Sequence, residues 1–313
     1  MILSGKELSV QLQSELREKA GTVFAGKKAY IAIIFLWDDS SSATYVKHKK
    51  AYGDTIWLPV IVFGQNDKAE YDRNQANNFD DVGIYVNQKY DNISKIMELI
   101  KYLNYDNDCV GIIVQLPLPD QFKQYKTQML AAITPTKDVD GLGGVLTGLA
   151  SADVIDFTPA TPKAVLSLLD FYKLWDMAGK MVSIIWQSDI VGKPLIAECI
   201  KRWAMVASFN SKNSLEQITS VTLKSDYIIS CTGVIHLVNA DFVRNDQTQI
   251  IVDVGYGHKD GKPVGDVDIE SVKDRVASYT PVPWGVWPLT VACLFANVFV
   301  LQGYKDVLKP YKL

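Results

Sequence analysis

The sequence has little of several features that mark common classes of protein. It contains only three histidines in 313 residues, which argues against a histidine-based metal site. It has no block rich in lysine and arginine, and its formal net charge is −3, so we expect neither a nucleic-acid partner nor binding to an anionic membrane surface. No stretch approaches the roughly 18 apolar residues of a membrane span. We therefore predict no metal, no nucleic acid and no membrane insertion.

Cysteine is also scarce. The four cysteines, Cys109, Cys199, Cys231 and Cys293, match neither zinc-site nor thioredoxin spacing. We interpret them as buried thiols of a reducing compartment. The opening residues, Met-Ile-Leu-Ser-Gly-Lys-Glu-Leu, contain no basic segment followed by an apolar run, the pattern typical of a secretion signal. The sequence thus predicts a cytoplasmic protein.

The remaining composition is that of a globular enzyme-sized chain. The hydrophobic fraction is 48% and the charged fraction 21%, both ordinary for a soluble protein with a substantial core. The length exceeds that of one average domain, so two domains are expected.

The first half of the chain mixes helix and strand patterns. Leu8, Leu12 and Leu16 repeat at helical spacing, and Pro117 ends a continuous apolar run because proline cannot continue a strand ladder. The elements predicted here are a helix at 5–20, a strand at 30–36, a polar turn at 38–42, helices at 43–55 and 93–103, and a strand at 110–116.

The second half alternates more regularly. Short β-branched strands separated by helices indicate a parallel sheet covered on both faces, the doubly wound arrangement of Rossmann-like domains. The elements predicted here are strands at 181–185, 205–209, 227–230 and 250–254, helices at 161–169, from 192–194 onward and at 214–221, and a strongly apolar last helix at 289–301.

Three segments of the first half carry polar residues suited to chemistry. Tyr45 and Lys49 lie four residues apart and share a helix face, although a helical lysine is usually a solvated charge. Gln115 follows a buried strand at the end where ligands bind in open α/β sheets; an amide that caps a turn is the alternative. Asp138 and Asp140 flank Val139 before a glycine, where metal binding or ordinary turn chemistry is the usual interpretation.

Two further segments lie in the second half. Residues 185–194 connect a strand to a helix, at the position of a dinucleotide phosphate loop but without Gly-x-Gly-x-x-Gly; backbone N–H groups there could hold a pyrophosphate. Residues 280–290 form a proline-rich irregular segment before the last helix. No single segment decides the function.

Together and in this order, these segments resemble the bifunctional methylenetetrahydrofolate dehydrogenase/methenyltetrahydrofolate cyclohydrolases. Segments 157–162, 252–255 and 265–268 also match, and the resemblance runs from Gly5-Lys6 to the last helix. It implies two α/β domains flanking a cleft: a catalytic folate-binding domain at 1–143, joined by the C-terminal helix 289–313, and a Rossmann-like NAD(P)-binding domain at 144–288.

The resemblance implies two reactions of one-carbon metabolism, which supplies purine, methionine and histidine biosynthesis. These are oxidation of methylenetetrahydrofolate and hydrolysis of the methenyl product, carried out by a cytoplasmic homodimer. Lys49 matches the catalytic lysine and Gln115 the amide bonded to it. Tyr45 matches the aromatic residue over the folate, and Asp140 the carboxylate that binds the pterin. The other substrate contacts implied are Leu116, Pro117, Pro283 and Gly285.

The cofactor half carries over in the same way. Many members have arginine at the position of Gln187, where it can pair with the 2′-phosphate of NADP. Its absence leaves Ser211 and Lys212 as candidates for that role, so we favour NADP with NAD open. The predicted cofactor-binding residues are Trp186, Gln187, Ser188, Ser211, Lys212, Thr232, Gly233 and Tyr256.

The seven tryptophans form a departure from the family pattern. Five, at positions 37, 57, 186, 284 and 287, stand where members commonly carry glycine, and Trp175 and Trp203 align less securely. One explanation is that they pack in the core, as Trp57 or Trp203 could. The explanation that we favour is a gene in which UGA encodes glycine, translated with UGA as tryptophan. If the protein does carry tryptophan at these positions, we expect an intact fold with impaired cofactor binding and lower stability.

Other functions stay open at this point. A monofunctional family member would catalyse only one reaction, and a folate-binding protein would catalyse neither. An amino-acid dehydrogenase would share the cofactor domain, but the set of Lys49, Gln115 and Asp140 speaks against it.

Overall fold

The computed structural model describes residues 1–36, 40–64, 79, 82–86 and 88–304, without the side chains of residues 40 and 41. The chain divides into two compact units. One comprises Met1–Gln11 and Ala150–Cys293, and the other comprises the described residues of Leu12–Leu149 and those from Leu294 onward. We call them the five-strand unit and the three-strand unit after their main sheets. The domain limits expected from the sequence stay a prediction.

The three-strand unit is built on a parallel sheet. Its strands β1 (Tyr30–Ile34), β2 (Val60–Phe63) and β3 (Cys109–Val114) lie in the order β2-β1-β3. Every residue of the three strands is buried, as expected for a parallel sheet covered on both faces. The helices of this part of the chain are α1 (Lys6–Val23), α2 (Ser40–Thr55), α3 (Val82–Val86), α4 (Ile93–Tyr105), α5 (Asp120–Lys123), α6 (Lys126–Ala132) and α7 (Gly144–Ser151).

The five-strand unit is also parallel and has the order β10-β7-β6-β4-β5. Its strands are β4 (Met181–Ile185), β5 (Met205–Phe209), β6 (Tyr227–Ser230), β7 (Ile250–Asp253) and β10 (Ser278–Tyr279), with an antiparallel hairpin of β8 (Gly257–Lys259) and β9 (Lys262–Val264). The helices of the chain from residue 160 onward are α8 (Ala160–Phe171), α9 (Gly192–Lys201), α10 (Leu215–Thr222), α11 (Ile269–Val272) and α12 (Trp287–Leu301), with a 3₁₀ turn at Ala240–Phe242. The part of α12 from Leu294 onward belongs to the three-strand unit.

The predicted α/β class with a Rossmann-like parallel sheet is confirmed, and the four strands predicted in the second half are present. Local sequence explains several boundaries: α10, for example, starts with a capping box in which Ser214 and Gln217 satisfy each other's backbone N–H groups. The polar turn predicted at 38–42 is partly wrong, because α2 already begins at Ser40; residues 38 and 39 lie outside the described part. Among the described helices, none combines the length and apolarity needed to cross a bilayer.

The tryptophans are not core residues. None of the six that the structure describes is buried, and Trp57 and Trp203 are 60% and 77% exposed. The alternative explanation, that these two pack in the core, is therefore excluded. Trp37 lies outside the described residues. Among the cysteines, Cys109, Cys199 and Cys293 are buried as predicted, whereas Cys231 is partly exposed.

Candidate active site

Lys49 and Gln115 meet in the three-strand unit. Lys49 lies on α2, one helical turn after Tyr45, and its Nζ donates a hydrogen bond to Gln115 Oε1 at 3.1 Å. Gln115 directly follows β3 and is buried. Its backbone N–H donates to the carbonyl of Ile34, and its Nε2 donates to the carbonyl of Leu116 at 2.8 Å. The amide is thus fixed with its oxygen toward the amine.

The electrostatics of this cluster favour a reactive amine. Burial lowers the pKa of Lys49, because the charged form loses hydration, while the negative charge of Asp140 acts in the opposite direction. Burial raises the pKa of Asp140, and the charge of Lys49 opposes that rise. The structure therefore brings Lys49, Gln115 and Asp140 together. The amine of Lys49 loses its proton more readily than that of an ordinary lysine.

Asp138 fixes the turn that carries Asp140. Its carboxylate accepts hydrogen bonds from the backbone N–H groups of Gly141, Leu142 and Gly143. Burial raises the pKa of Asp138 to about 6, although these N–H groups act against the rise. A Cβ on Gly143 would lie 2.8 Å from an oxygen of Asp138, so glycine permits this close approach. Asp138 is a positioning residue for the turn.

Asn297 is a residue of this region that was not predicted from the sequence. It is fully buried on α12, and its Nδ2 donates to the carbonyl of Val139 at 3.0 Å. The same Val139 packs against Gly111, where a Cβ would lie 2.7 Å from it. A single amide within an otherwise apolar helical segment was the available signal.

The other predicted substrate contacts are divided between the two units. Tyr45 is partly exposed on α2, and Leu116 and Pro117 follow Gln115. Pro283 and Gly285 belong to the five-strand unit, where Gly285 is buried and has no room for a Cβ beside Thr280. Their contact with substrate stays a prediction.

The predicted cofactor residues lie at one edge of the five-strand sheet. Residues 186–188 follow β4, residues 211–212 follow β5, residues 232–233 follow β6, and Tyr256 follows β7. Because these four strands are neighbours in the order β7-β6-β4-β5 and run parallel, their carboxyl ends meet at the same edge. Dinucleotides bind at this edge in Rossmann-like sheets.

Side chains after β4 are tied to the neighbouring strand and helix. Gln187 donates from Nε2 to Ser208 Oγ at 2.8 Å and accepts from Asn210 Nδ2 at 3.1 Å. Ser188 Oγ accepts the backbone N–H groups of Val191 and Gly192, at the start of α9. The loop is thus held by its own polar side chains.

Two buried carboxylates hold the loop after β6. Asp266 accepts hydrogen bonds from Ser230 Oγ at 2.8 Å and from the backbone N–H of Thr232 at 2.6 Å. Asp253 accepts the backbone N–H groups of Asp266 and Val267, among others, and burial raises its pKa to about 7. Segments 252–255 and 265–268, which contain these two carboxylates, match the family pattern, but their role in holding the loop was not predicted from the sequence. The pair positions the Thr232-Gly233 turn.

Tyr256 lies in an aromatic group at the same edge. The centroid of its ring is 4.2 Å from that of Trp287 and 5.2 Å from that of His258. Gly233 has a φ of 71° and open space where a Cβ would stand. This edge therefore offers backbone groups, an open glycine turn and aromatic surface, which are the usual elements of a nucleotide site.

Two family profiles match the chain. The profile of the tetrahydrofolate dehydrogenase/cyclohydrolase catalytic domain matches residues 51–140. The profile of the tetrahydrofolate dehydrogenase/cyclohydrolase NAD(P)-binding domain matches residues 159–305. The second match covers the five-strand sheet edge described above.

Several relatives resemble the whole chain. The bifunctional protein FolD of Campylobacter jejuni (strain RM1221) is 33% identical over 95% of this chain and 96% of its own length. That of Lactobacillus acidophilus is 34% identical over 96% of each. The crystal structure of the bifunctional FolD dehydrogenase/cyclohydrolase from C. jejuni matches with a TM-score of 0.83 and 32% identity, covering 98% of this chain and 99% of that one. The bifunctional enzyme of Thermoplasma acidophilum matches with a TM-score of 0.79 and 26% identity, covering 97% and 98%.

Proposed function

The chain belongs to the tetrahydrofolate dehydrogenase/cyclohydrolase family, and we propose that it oxidises 5,10-methylenetetrahydrofolate to the 5,10-methenyl form and hydrolyses that form to 10-formyltetrahydrofolate. The observation that carries the proposal is the cluster of Lys49, Gln115 and Asp140. Gln115 and Asp140 lie within the range that matches the catalytic-domain profile, and Lys49 lies just before it. An amine with a lowered pKa, a fixed amide and a carboxylate suit a pterin substrate and a proton transfer near neutral pH.

Hydrolysis uses Lys49 as its acid and base. Water adds to the cationic methenyl carbon, and the neutral amine of Lys49 takes a proton from it. The bond from that carbon to N5 of the folate then breaks, and N5 receives the proton from Lys49. The hydroxyl proton leaves to solvent, so the step releases one proton overall and yields the N10-formyl group. The lowered pKa of Lys49 supplies the neutral amine that the first transfer needs.

The neighbours of Lys49 orient the amine and the substrate. Gln115 accepts one N–H of Lys49, which leaves the remaining amine positions for water and folate. Asp140 has two oxygens for the paired N–H donors of a pterin ring, a geometry that gives strong charge-assisted hydrogen bonds. Tyr45, one turn before Lys49, contributes an aromatic face to the same site.

Oxidation depends on the edge of the five-strand sheet. When bound there, a nicotinamide dinucleotide would supply the acceptor for the hydride of the folate methylene group. The residues present fit such a cofactor: the Gly233 turn is open, and Asp266 holds the preceding Thr232 N–H. These residues bind and align the dinucleotide. Alignment is the main contribution of a protein to hydride transfer.

We assign NADP as the preferred cofactor. NAD enzymes commonly place an acidic residue after the second strand of the nucleotide-binding sheet to bind the ribose 2′-hydroxyl. Residues 210–213, which follow β5, are Asn-Ser-Lys-Asn and contain no carboxylate. Ser211 and Lys212 are exposed there, and a lysine favours a 2′-phosphate. Gln187 is neutral, and its side chain is already hydrogen-bonded to Ser208 and Asn210. It therefore offers no positive charge to a 2′-phosphate.

Two separate assays test the function. Hydrolysis of methenyltetrahydrofolate is followed without any nicotinamide cofactor, and oxidation of methylenetetrahydrofolate is followed with NADP and with NAD. We expect hydrolysis in the first assay, and faster oxidation with NADP in the second. Absence of turnover of both folates by the folded chain would overturn the proposal, and oxidation with NAD alone would overturn the cofactor assignment.

We also propose that the chain works as a cytoplasmic homodimer, as the family resemblance implies. Light scattering of the purified chain measures its mass directly. A mass twice that of one chain supports the proposal, and a monomer that is fully active in both assays contradicts it.

A further inference from the structure

Three tryptophans occupy backbone conformations that belong to glycine. Among the described residues, eight that are not glycine have positive φ. Five of them are polar, and the other three are Trp57, Trp186 and Trp203, half of the six described tryptophans. Only a few per cent of non-glycine residues have positive φ, and bulky side chains there are true outliers.

Trp57 ends helix α2 in a Schellman motif. The N–H of Leu58 donates to the carbonyl of Gly53, and the N–H of Trp57 donates to that of Asp54. This pair of bonds requires a left-handed residue just after the helix, at the position of Trp57, whose φ is 61°. Glycine is the usual residue there because it has no Cβ to strain. Trp57 contacts Arg17 yet stays 60% exposed, so burial explains little of its presence.

Trp203 ends helix α9 in the same motif. The N–H of Ala204 donates to the carbonyl of Cys199, and the N–H of Trp203 donates to that of Ile200. Trp203 has a φ of 59° and is 77% exposed. Neither its conformation nor its surroundings favour an indole.

The last helix shows the motif with its expected residue. At the end of α12 the N–H of Tyr304 donates to the carbonyl of Phe299, and that of Gly303 donates to Val300. Gly303 holds the left-handed position, with a φ of 91°. Gly303 is thus the glycine counterpart of Trp57 and Trp203, while α8 ends in the same motif with the polar Lys173, at a φ of 60°.

Trp186 is the most strained of the three. Its φ is 95°, outside the narrow left-handed region that other L-residues reach. Among the described residues only Gly64 and Gly303 otherwise exceed a φ of 80°. The backbone is also crowded here, because a Cβ on Gly192 would lie 2.0 Å from the carbonyl oxygen of Trp186. Position 186 opens the loop between β4 and α9.

We infer that positions 57, 186 and 203 are glycine positions of this fold, and that the active protein carries glycine at all three. If the three tryptophans had arisen by mutation, three separate mutations would each have replaced glycine with the same unsuitable residue. One rule explains all three: UGA is translated as tryptophan in some genetic codes and as glycine in others. The structure supports this second explanation of the tryptophans through the backbone alone.

The inference has a functional consequence at position 186, which rests on the proposed function. The loop after the first strand of a Rossmann-like sheet uses glycine so that backbone can approach the pyrophosphate. An indole at position 186 is 37% exposed at that edge and takes up space beside it. Glycine at this position therefore completes the cofactor site.

The codons and the native polypeptide give the first test. We expect UGA at positions 57, 186 and 203 of the source gene, and glycine at these positions in peptide mass spectra of the protein from its source cells. UGG at any of the three, or tryptophan in the native peptides, would overturn the inference.

Melting temperatures of variants give a second test, independent of any activity. Trp57→Gly should melt about 2 °C higher than Trp57→Ala, because both lack the indole and only glycine removes the Cβ strain. The same order is expected for Trp203→Gly and Trp203→Ala. The reciprocal Gly303→Trp should melt lower than the unsubstituted chain. Glycine variants that are no more stable than the alanine variants would contradict the assignment.

Titration with NADP tests position 186. We expect Trp186→Gly to bind NADP at least about tenfold more tightly than the unsubstituted chain, with Trp203→Gly as a control of unchanged affinity. Equal NADP affinities of the Trp186→Gly variant and the unsubstituted chain would refute the role of this position. Hydrolysis by the unsubstituted chain is measured in parallel without cofactor, so failure of the proposed function is distinguishable from failure of this inference.

Discussion

The Nζ of Lys49 lies 3.1 Å from Gln115 Oε1, and the other end of the same amide donates to the carbonyl of Leu116 at 2.8 Å. Because the Leu116 carbonyl can only accept, the amide nitrogen must face it and the oxygen must face Lys49. A neutral acceptor at this position orients the amine without adding a charge that would raise its pKa. The protonation of Lys49 is thus controlled by burial and by Asp140.

A carboxylate in place of the Gln115 amide should change the pH dependence of hydrolysis. Gln115→Glu places a negative charge beside Lys49, which favours the ammonium form and raises the pKa of Lys49. The proposed hydrolysis needs the neutral amine, so its acidic limb should move to higher pH. Gln115→Met, similar in length and neutral, should show no upward shift. An unchanged profile for the Glu variant would contradict the role of Lys49 as the base.

Removal of the Asp140 charge should act in the opposite direction on the same profile. Asp140→Asn takes away the charge that raises the pKa of Lys49, so the acidic limb should move to lower pH. KM for both folates should rise roughly 10–100-fold, the loss of one or two charge-assisted hydrogen bonds. Steady-state kinetics from about pH 5 to about pH 9, the range in which a lysine of lowered pKa titrates, measure both effects.

A variant of Asp138, the carboxylate two residues before Asp140, tests whether the two residues have different roles, one structural and one in substrate binding. Asp138→Asn disturbs three backbone hydrogen bonds of the turn, so we expect a lower melting temperature as its main effect. If Asp138→Asn raised KM as much as Asp140→Asn at unchanged stability, the two assignments would have to be exchanged.

The buried Asp170 should make stability depend on pH. Burial raises its pKa to about 6, against the opposing charge of Arg202, and its Oδ2 has no hydrogen-bond partner. The folded state therefore binds the proton more tightly than the unfolded state, and this stability, fully present below about pH 4, is lost as the pH rises through about 6. Asp170→Asn should be more stable than the unsubstituted chain by about 1–3 kcal/mol near pH 7.5 and no more stable near pH 4.

Urea unfolding at both pH values measures the Asp170 effect. Asp260→Asn, at an exposed position, is the matched control and should change little at either pH. A gain in stability for Asp170→Asn that is equal at both pH values would show that titration of this carboxyl is not the cause.

Lys212 should set the preference for the cofactor phosphate. Lys212→Ala removes the positive charge after β5, and we expect NADP affinity to fall about tenfold while NAD affinity stays constant, since one charge-assisted contact to phosphate is lost. The ratio of the two dissociation constants is the readout. Lys224→Ala, also exposed but before β6 at the opposite end of the sheet, is the control. An equal loss for both cofactors would contradict the specificity assignment.

The sheet edge of the five-strand unit could be predicted because strand periodicity and order are local and regular. Runs such as Met181–Ile185 and Tyr227–Ser230 are largely apolar and follow a charged residue, and parallel pairing then brings their carboxyl ends together. The short strand Val60–Phe63 was not predicted, since four apolar residues alone do not distinguish a strand from a buried loop.

The proposed catalytic cluster depended on the family resemblance rather than on local pattern. Lys49 and Asp140 are far apart in sequence, and a lysine on a helix gives no sign of its burial. The contact from Asn297 to Val139 joins still more distant residues, and no local rule predicts it. The tryptophans were recognised as a departure from the family pattern. The sequence could not show that the path of the chain at two helix ends requires positive φ at exposed positions.

The central claim is that the amine of Lys49 transfers the proton in hydrolysis, and Lys49→Ala tests it most directly. The measurement is the rate of methenyltetrahydrofolate hydrolysis without cofactor, for Lys49→Ala beside Lys47→Ala, an exposed lysine on the same helix. We predict that Lys49→Ala loses at least about 10²-fold in rate while staying folded, and that Lys47→Ala keeps the original rate. Full hydrolysis by the Lys49→Ala chain would contradict the account.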